Sequence, residues 1–242
     1  MAVALSVVVP VKDEAENVGP LAREIADAVR HDASVEIIFV DDGSEDDTAA
    51  RLKQLQIDIP SLRVVQHGRN AGQSRALRSG VRAAHGILVV TLDGDGQNDP
   101  ADIARVLAPF HAEGDPTRIG MVSGVRVKRK DPLVKRVVSR LANRFRIRML
   151  RDGATDVGCG LKAFRRDAFL ALPYFDHMHR YLAALMQREG YEVRFVDVGH
   201  RPRLHGRSKY GVWDRLVVGV ADILGVLWLQ KRFRGAVETK EL

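Results

Sequence analysis

Asp93 and Asp95 stand with a single glycine between them in Thr91-Leu92-Asp93-Gly94-Asp95-Gly96-Gln97-Asn98-Asp99, directly after the apolar run Ile87-Leu88-Val89-Val90. Glycines on either side of Asp95 let the backbone bend tightly and come close to a ligand. Paired carboxylates of this kind suit a hard divalent cation that keeps some water and is shared with substrate phosphates. The first expectation is therefore an enzyme that acts on a phosphorylated donor. The plainer alternative is a solvated Asp/Gly turn that caps the next helix.

The elements that must position these residues follow from patterning. Leu5-Ser6-Val7-Val8-Val9-Pro10, Val35-Glu36-Ile37-Ile38-Phe39-Val40, Leu62-Arg63-Val64-Val65 and Ile87–Leu92 read as short buried strands. Between them, Asn17–Arg30 shows helical spacing of Val18, Leu21, Ile25 and Val29; a helix from Asp46 or Asp47 to about Gln56 and another over Gly72–Ala84 complete the alternation. Strands alternating with helices of this length predict an α/β fold with a mostly parallel sheet and helices on both faces. Polar loops follow the first, second and fourth strands: Pro10–Glu16, Asp41–Ser44 and Asp93–Asp99. In an open parallel sheet such loops share the carboxyl edge, where ligands bind. Further on, Asp102–Glu113 reads as a helix, Ile119–Arg126 as a strand, Pro132 to about Leu150 as a helix with an apolar stripe, and Val193–Val198 as a last strand.

Charge is unevenly spread over the 242 residues, whose formal net charge is +7. Residues 1–121 hold 12 Lys/Arg against 19 Asp/Glu, whereas residues 122–242 hold 26 against 12. Arg126–Arg151 alone carries 11 basic residues and one acid, Asp131, so a phosphate-bearing partner is expected there. The single cysteine, Cys159, excludes an internal disulfide framework and fits a reducing compartment. With no basic, signal-like start, a cytoplasmic location is expected.

Leu216–Leu229 is apolar apart from Asp222. As a helix these 14 residues would reach about 21 Å, short of the roughly 30 Å of bilayer hydrocarbon. With Trp213 and Trp228 near its ends and Lys231, Arg232 and Arg234 after it, the segment is expected to lie in a membrane interface or against a membrane partner. The expected division is a catalytic domain over 1–211 and an amphipathic, membrane- or partner-associating segment over 212–242.

In their order, Val8-Val9-Pro10, Val40-Asp41-Asp42-Gly43-Ser44, Asn70-Ala71-Gly72 and Leu92-Asp93-Gly94-Asp95-Gly96-Gln97 resemble the motifs of family 2 glycosyltransferases of the GT-A fold. Asp156-Val157-Gly158-Cys159-Gly160-Leu161-Lys162 and His205-Gly206-Arg207-Ser208-Lys209-Tyr210 are similar to the polyprenyl-phosphate sugar transferase branch typified by dolichyl-phosphate mannose synthase. The resemblance runs from about residue 4 to about residue 230. It implies a nucleotide-sugar site built from Pro10, Val11, Asp13, Glu14, Asp42, Asp93, Gly94, Asp95, Arg203, Ser208 and Lys209, with Asp42 accepting a hydrogen bond from the base. It implies Mg²⁺ or Mn²⁺ on Asp93, Asp95 and Gln97, and a loop with Arg203, Ser208 and Lys209 that closes over the diphosphate.

For the acceptor, a polyprenyl phosphate is already an anion and needs no protein general base. Arg126, Lys135, Arg136, Ser139 and Arg140 are candidates for its phosphate. The family places a basic residue four before a serine, which is Lys135 before Ser139, and the choice between Lys135 and Arg136 stays open. Asp93, Asp95, Arg126 and Asp156 form the expected catalytic set, with Asp156 as the acid near the acceptor. The expected reaction is a metal-dependent, inverting transfer from a UDP- or GDP-sugar to a polyprenyl phosphate, on the cytoplasmic membrane face, with a small integral-membrane subunit as a possible anchor. One alternative is a hydroxyl acceptor with Asp156 as general base. Another is a nucleotidyltransferase, which would release pyrophosphate. A nucleic-acid-binding module would use the basic run but has no recognised motif and leaves the acidic loops unexplained.

Overall fold

The computed structural model describes residues 3–30, 34–112, 115–127, 145–203 and 212–235, the last with backbone only over 212–218. Its centre is a seven-stranded sheet in the order β3-β2-β1-β4-β6-β5-β7. The strands are β1 (Leu5–Val11), β2 (Val35–Asp41), β3 (Leu62–Gln66), β4 (Leu88–Thr91), β5 (Ile119–Arg126), β6 (Lys162–Arg165) and β7 (Glu192–Val198). β1 pairs in parallel with both β2 and β4, β2 with β3, and β5 with β7, whereas β6 runs antiparallel between β4 and β5. The expected α/β, mostly parallel sheet is what forms.

Strand residues alternate between two cores because successive side chains point to opposite faces. Val7, Val9, Ile37 and Phe39 face α1 (Ala15–Ala28), α2 (Thr48–Asp58) and α4 (Ile103–Leu107), meeting Val18, Leu21, Ile25, Leu52 and Ile103. Val8, Ile38 and Val40 face the other way, into a core shared with Leu77 and Val81 of α3 (Gln73–Ala83). That core continues through α5 (145–150), α6 (Arg166–Ala171), α7 (Leu182–Arg188) and α8 (Val212–Arg232) by way of Leu150, Phe169, Leu185 and Val226. Phe164 of β6 stacks on Phe169 at 4.7 Å between centroids. Helices therefore cover both faces, as the patterning requires.

Two expectations change. The helix expected over Asp102–Glu113 is broken into a 3-10 turn at Pro100–Asp102, the short α4 and a second 3-10 turn at Ala108–His111. Pro109 supplies no backbone N–H, so the α-helical ladder cannot run through it. The strand β6 and the helices α6 and α7 are additions to the sequence reading. Of the helix expected from Pro132 to Leu150, residues 145–150 are helical, and the earlier part lies outside the described residues.

Candidate active site

The loops after β1, β2 and β4 meet at one edge of the sheet. The β1 loop is hooked onto the β2 loop: the Asp13 N–H donates to Ser44 Oγ at 2.9 Å, the Glu14 N–H to Thr48 Oγ1 at 2.9 Å, and Lys12 Nζ to the Gly43 carbonyl at 3.0 Å. Asp13 takes a positive φ of 48° to make this turn and accepts the Glu45 N–H at 2.8 Å. The β4 loop crosses directly over the end of β1: a Cβ on Gly94 would sit 2.4 Å from Val11 Cγ1 and 3.0 Å from the Pro10 carbonyl oxygen. Pro10, Val11, Asp13, Glu14 and Gly94 are thus brought together.

Asp93 and Asp95 occupy the centre of this edge. Asp93 is held from two sides, its N–H donating to Asn98 Oδ1 at 3.1 Å and its Oδ1 accepting from Gln73 Nε2 at 2.9 Å. Asp95 Oδ1 accepts the Gln97 N–H at 3.1 Å, and Oδ2 forms an ion pair with Arg203. Burial first, and then the neighbouring Asp95 charge, push the Asp93 carboxyl up to about 6, against the pull of Lys162, Arg126 and Gln73. Two carboxylates forced close in a half-buried place raise the cost of keeping both charged. Gly160 makes the close approach possible, since a Cβ there would meet the Asp93 carboxyl atoms at 2.3–2.6 Å. The oxygen-only donors suit a hard cation. Gln97 lies on the same loop, and its Nε2 donates to the Arg201 carbonyl at 3.4 Å. Among the described residues no three His, Cys, Asp or Glu side chains group together as a metal cage.

Cations surround the pair. Arg126, at the end of β5, binds Asp156 through Nε and Nη2, each at 2.7 Å. Burial works against the Arg126 charge, but the Asp156 bonds and charge outweigh it and hold the guanidinium above its ordinary value. Asp156 is therefore locked to Arg126 by both carboxylate oxygens, a poor arrangement for a general base. Lys162 is buried at the start of β6 and donates to the Cys159 carbonyl. Burial lowers its affinity for a proton, while the charges of Cys159, Asp93 and Asp156 oppose that shift.

Asp42, directly after β2, is buried, with Oδ1 accepting from the Ala71 N–H and Oδ2 from the Gly72 N–H, both at 2.8 Å. His67 Nδ1 lies 2.8 Å from Oδ1, and its Nε2 lies 2.9 Å from Ser79 Oγ. Asp42 thereby fixes the loop that starts α3. A cleft of about 620 Å³, lined by residues that include Ser44, Glu45, Arg69 and Asn70, opens beside it.

Lys135, Arg136, Ser139, Arg140, Ser208 and Lys209 lie outside the described residues. Gln73, Gly160 and Lys162 join the site only in the folded chain. Lys162 had a visible signal, being a lone charge inside the apolar run Leu161-Lys162-Ala163-Phe164. The contact of Gln73 with Asp93 spans separate βα units and had none.

Residues 6–172 match the family described as Glycosyl transferase family 2. The chain is 34% identical over 232 residues to dodecaprenyl-phosphate galacturonate synthase of Rhizobium johnstonii, covering 94% of this chain and 67% of that protein. It is 33% identical over 211 residues to an undecaprenyl-phosphate 4-deoxy-4-formamido-L-arabinose transferase of Pseudomonas fluorescens, covering 85% of this chain and 60% of that one. The chain thus spans about three-fifths to two-thirds of the length of these relatives. In fold it is similar to glucosyl-3-phosphoglycerate synthase of Mycobacterium tuberculosis crystallised with Mn²⁺ and UDP, with TM-score 0.66, 22% identity, and coverage of 94% of this chain and 79% of that one. Mannosyl-3-phosphoglycerate synthase of Rubrobacter xylanophilus superposes with TM-score 0.70 at 18% identity, covering 99% of this chain and 79% of that one. The match over residues 6–172, and the identity shared with those two sugar transferases, show that this chain belongs to glycosyltransferase family 2.

Proposed function

We infer that the protein transfers a sugar, with inversion, from a UDP- or GDP-sugar to a polyprenyl phosphate. The observation that carries this reading is the Asp93–Asp95 pair at the sheet edge, its two carboxylates held close together and flanked by Arg126, Lys162 and Arg203. The named substrates of the relatives, dodecaprenyl and undecaprenyl phosphate, support the acceptor class. Asp93, Asp95 and Gln97 would hold Mg²⁺ or Mn²⁺; when bound, the ion neutralises charge on the departing nucleoside diphosphate.

The chain's own residues do the rest. The fastened loops with Pro10, Val11, Asp13 and Glu14 form the wall for the nucleotide, with Asp42 holding the loop before α3. Arg203, paired with Asp95 in this structure, would exchange that partner for the diphosphate, and Ser208 and Lys209 are assigned the same role. Arg126 faces the acceptor phosphate, with Lys135 or Arg136, Ser139 and Arg140 completing that subsite. A phosphate oxygen bonds to the anomeric carbon as the bond to the diphosphate breaks on the opposite side, which inverts the anomer. The phosphate is already ionised, so no proton has to leave, and Asp156 serves by fixing Arg126.

A lipid-borne acceptor places the work at a membrane surface, and α8 supplies a fitting contact. Val220, Leu224 and Trp228 are exposed on one face of it. Arg148, Arg151, Lys231, Arg232 and Arg234 are exposed nearby along α5 and the end of α8, suited to anionic lipid. No helix among the described residues is long and apolar enough to cross a membrane. We assign the catalytic domain to 1–211 and the membrane- or partner-associating segment to 212–242. Attachment is peripheral on the cytoplasmic face, with a small integral-membrane subunit as its further partner.

The acceptor class is tested by offering a short polyprenyl phosphate, the matching alcohol and a glycan in turn, and following nucleoside diphosphate release. The reading requires release with the phosphate alone, and a rate flat in pH above the second ionisation of the phosphate. Release with the alcohol or glycan, lost in Asp156→Asn, would replace it with the hydroxyl-acceptor reaction.

A further inference from the structure

Around Asp222, α8 is fastened to one short segment of the body, while its far end is held elsewhere, with Arg188 Nε donating to the Leu229 carbonyl at 3.1 Å. Asp222 approaches His177 Nδ1 to 3.3 Å, and the Tyr181 hydroxyl donates to the Gly219 carbonyl at 3.3 Å. Asp222 is the sole charged residue between Gly219 and Gln230, and it points inward while Val220, Leu224 and Trp228 point outward. This is the reverse of a helix that faces water.

The same segment grips the start of α3. His179 Nδ1 lies 2.7 Å from Ser74 Oγ, and the His179 N–H donates to that oxygen at 3.3 Å. Burial, with the charges of Arg180, Lys162 and His177, pushes the His179 ring down to about 3, so it is neutral and can share this bond. Ser74 follows Gln73, which donates to Asp93. Asp176 lies beside Gly72, where a Cβ would be 3.5 Å from its Oδ1. Between the two grips, His177 is left-handed at φ 63°, ψ 7°. Left-handed backbone is uncommon outside glycine, and His177 takes it between two packed elements. Here one side is α8 and the other is α3.

We propose that Asp176–Tyr181 is a bracket coupling the seating of α8 to the placement of Gln73 against Asp93, with His177, His179 and Ser74 as positioning residues. The proposal rests on the transferase reading for the role of Asp93. Covering the outer face of α8 with a bilayer keeps Asp222 on His177 and the first turn of α3 in place. When α8 lifts, the bracket loses one side and the carboxylate pair is less well set for its cation. The coupling confines turnover to the surface where the lipid acceptor resides.

Hydrogen exchange and Mn²⁺ titration of the full chain test this without any transfer reaction, so a failed transfer assay and a failed bracket are told apart. The reporters are the Arg75 and Ala76 amides, both bonded to the Gly72 carbonyl. Asp222→Ala, or Asp222→Asn should the first misfold, is expected to speed their exchange and weaken Mn²⁺ binding by about threefold or more. Ser74→Ala should do the same, and the double variant should be little worse than either single one. Gln230→Ala cuts a separate anchor of α8, the bond to the Leu150 carbonyl at 3.3 Å. It should loosen only the far end of α8, keep Asp222 on His177, and leave the reporters and Mn²⁺ unchanged. Unchanged reporters in Asp222→Ala, or equal effects from Gln230→Ala, would overturn the bracket.

Discussion

Asp93 serves two opposed demands, and its ionisation shows them. Its carboxyl sits at about 6 in place of the ordinary 3.8, chiefly through burial and then through Asp95. A raised carboxyl favours the protonated form in the fold. The cost of its charge is therefore absent below about pH 4, grows between 4 and 6, and is full above 6. Asp93→Asn cannot ionise and can still accept from Gln73. Thermal unfolding of the metal-free variant should show stabilisation on the order of 1–3 kcal/mol above pH 6 and none near pH 4. In the wild type, Mn²⁺ affinity measured by titration should fall about tenfold per pH unit below 6, because the proton competes for the same oxygens. Equal stability of the two proteins at all pH values would show that Asp93 carries no such burden. The acidic pair was legible in the sequence because glycines and a preceding apolar run mark a strand end. The pairing of Arg126 with Asp156 was not, because the sequence places those residues 30 apart with nothing to register one against the other.

At the scale of elements, β4 and β6 together make the site. β4 ends at Thr91 and delivers Asp93, and its antiparallel neighbour β6 opposes Lys162 to Thr91. The residues just before β6 therefore pass against the Asp93 carboxyl, where only the hydrogen of Gly160 fits. Gly160→Ala should weaken Mn²⁺ binding by about 10- to 100-fold, the usual effect of disturbing the residues that orient metal ligands. Circular dichroism should stay native, since the Cβ displaces a carboxylate and not the backbone ladder. Native affinity in Gly160→Ala would show that the carboxylate can move aside without loss. The first four strands and three helices were legible because each carries its own period and its own turn. β6 has four residues and mixed polarity, so it has no period to read, and its place in the sheet is set by its neighbours. The break of the 102–113 helix was available in principle from Pro109, but the apolar spacing masked it.

At the scale of the molecule, residues 1–121 carry an excess of acid and residues 122–242 an excess of base, a division that suits the proposed nucleotide and acceptor sides. Exposed Val220, Leu224 and Trp228 define the outer face of α8, which the sequence foreshadowed through its interrupted apolar run and its flanking cations. The face itself was not legible, because the position of Asp222 in the apolar run does not say what it meets, and the structure turns it onto His177. Leu224→Asp should reduce co-sedimentation with vesicles containing anionic lipid by about tenfold or more, since a charge in the interface costs on the order of 1–3 kcal/mol. Ile57→Asp, at an exposed residue of α2 (81% accessible), should change nothing. Equal binding by both variants would place the membrane contact elsewhere.

The most direct test of the central claim is transfer of labelled sugar from a panel of UDP- and GDP-sugars to a short polyprenyl phosphate, with label counted in the organic phase. The account predicts label from one donor with Mg²⁺ or Mn²⁺, abolished by EDTA and reduced at least about a hundredfold in Asp95→Ala. Full transfer by Asp95→Ala, or in the presence of EDTA, would contradict it.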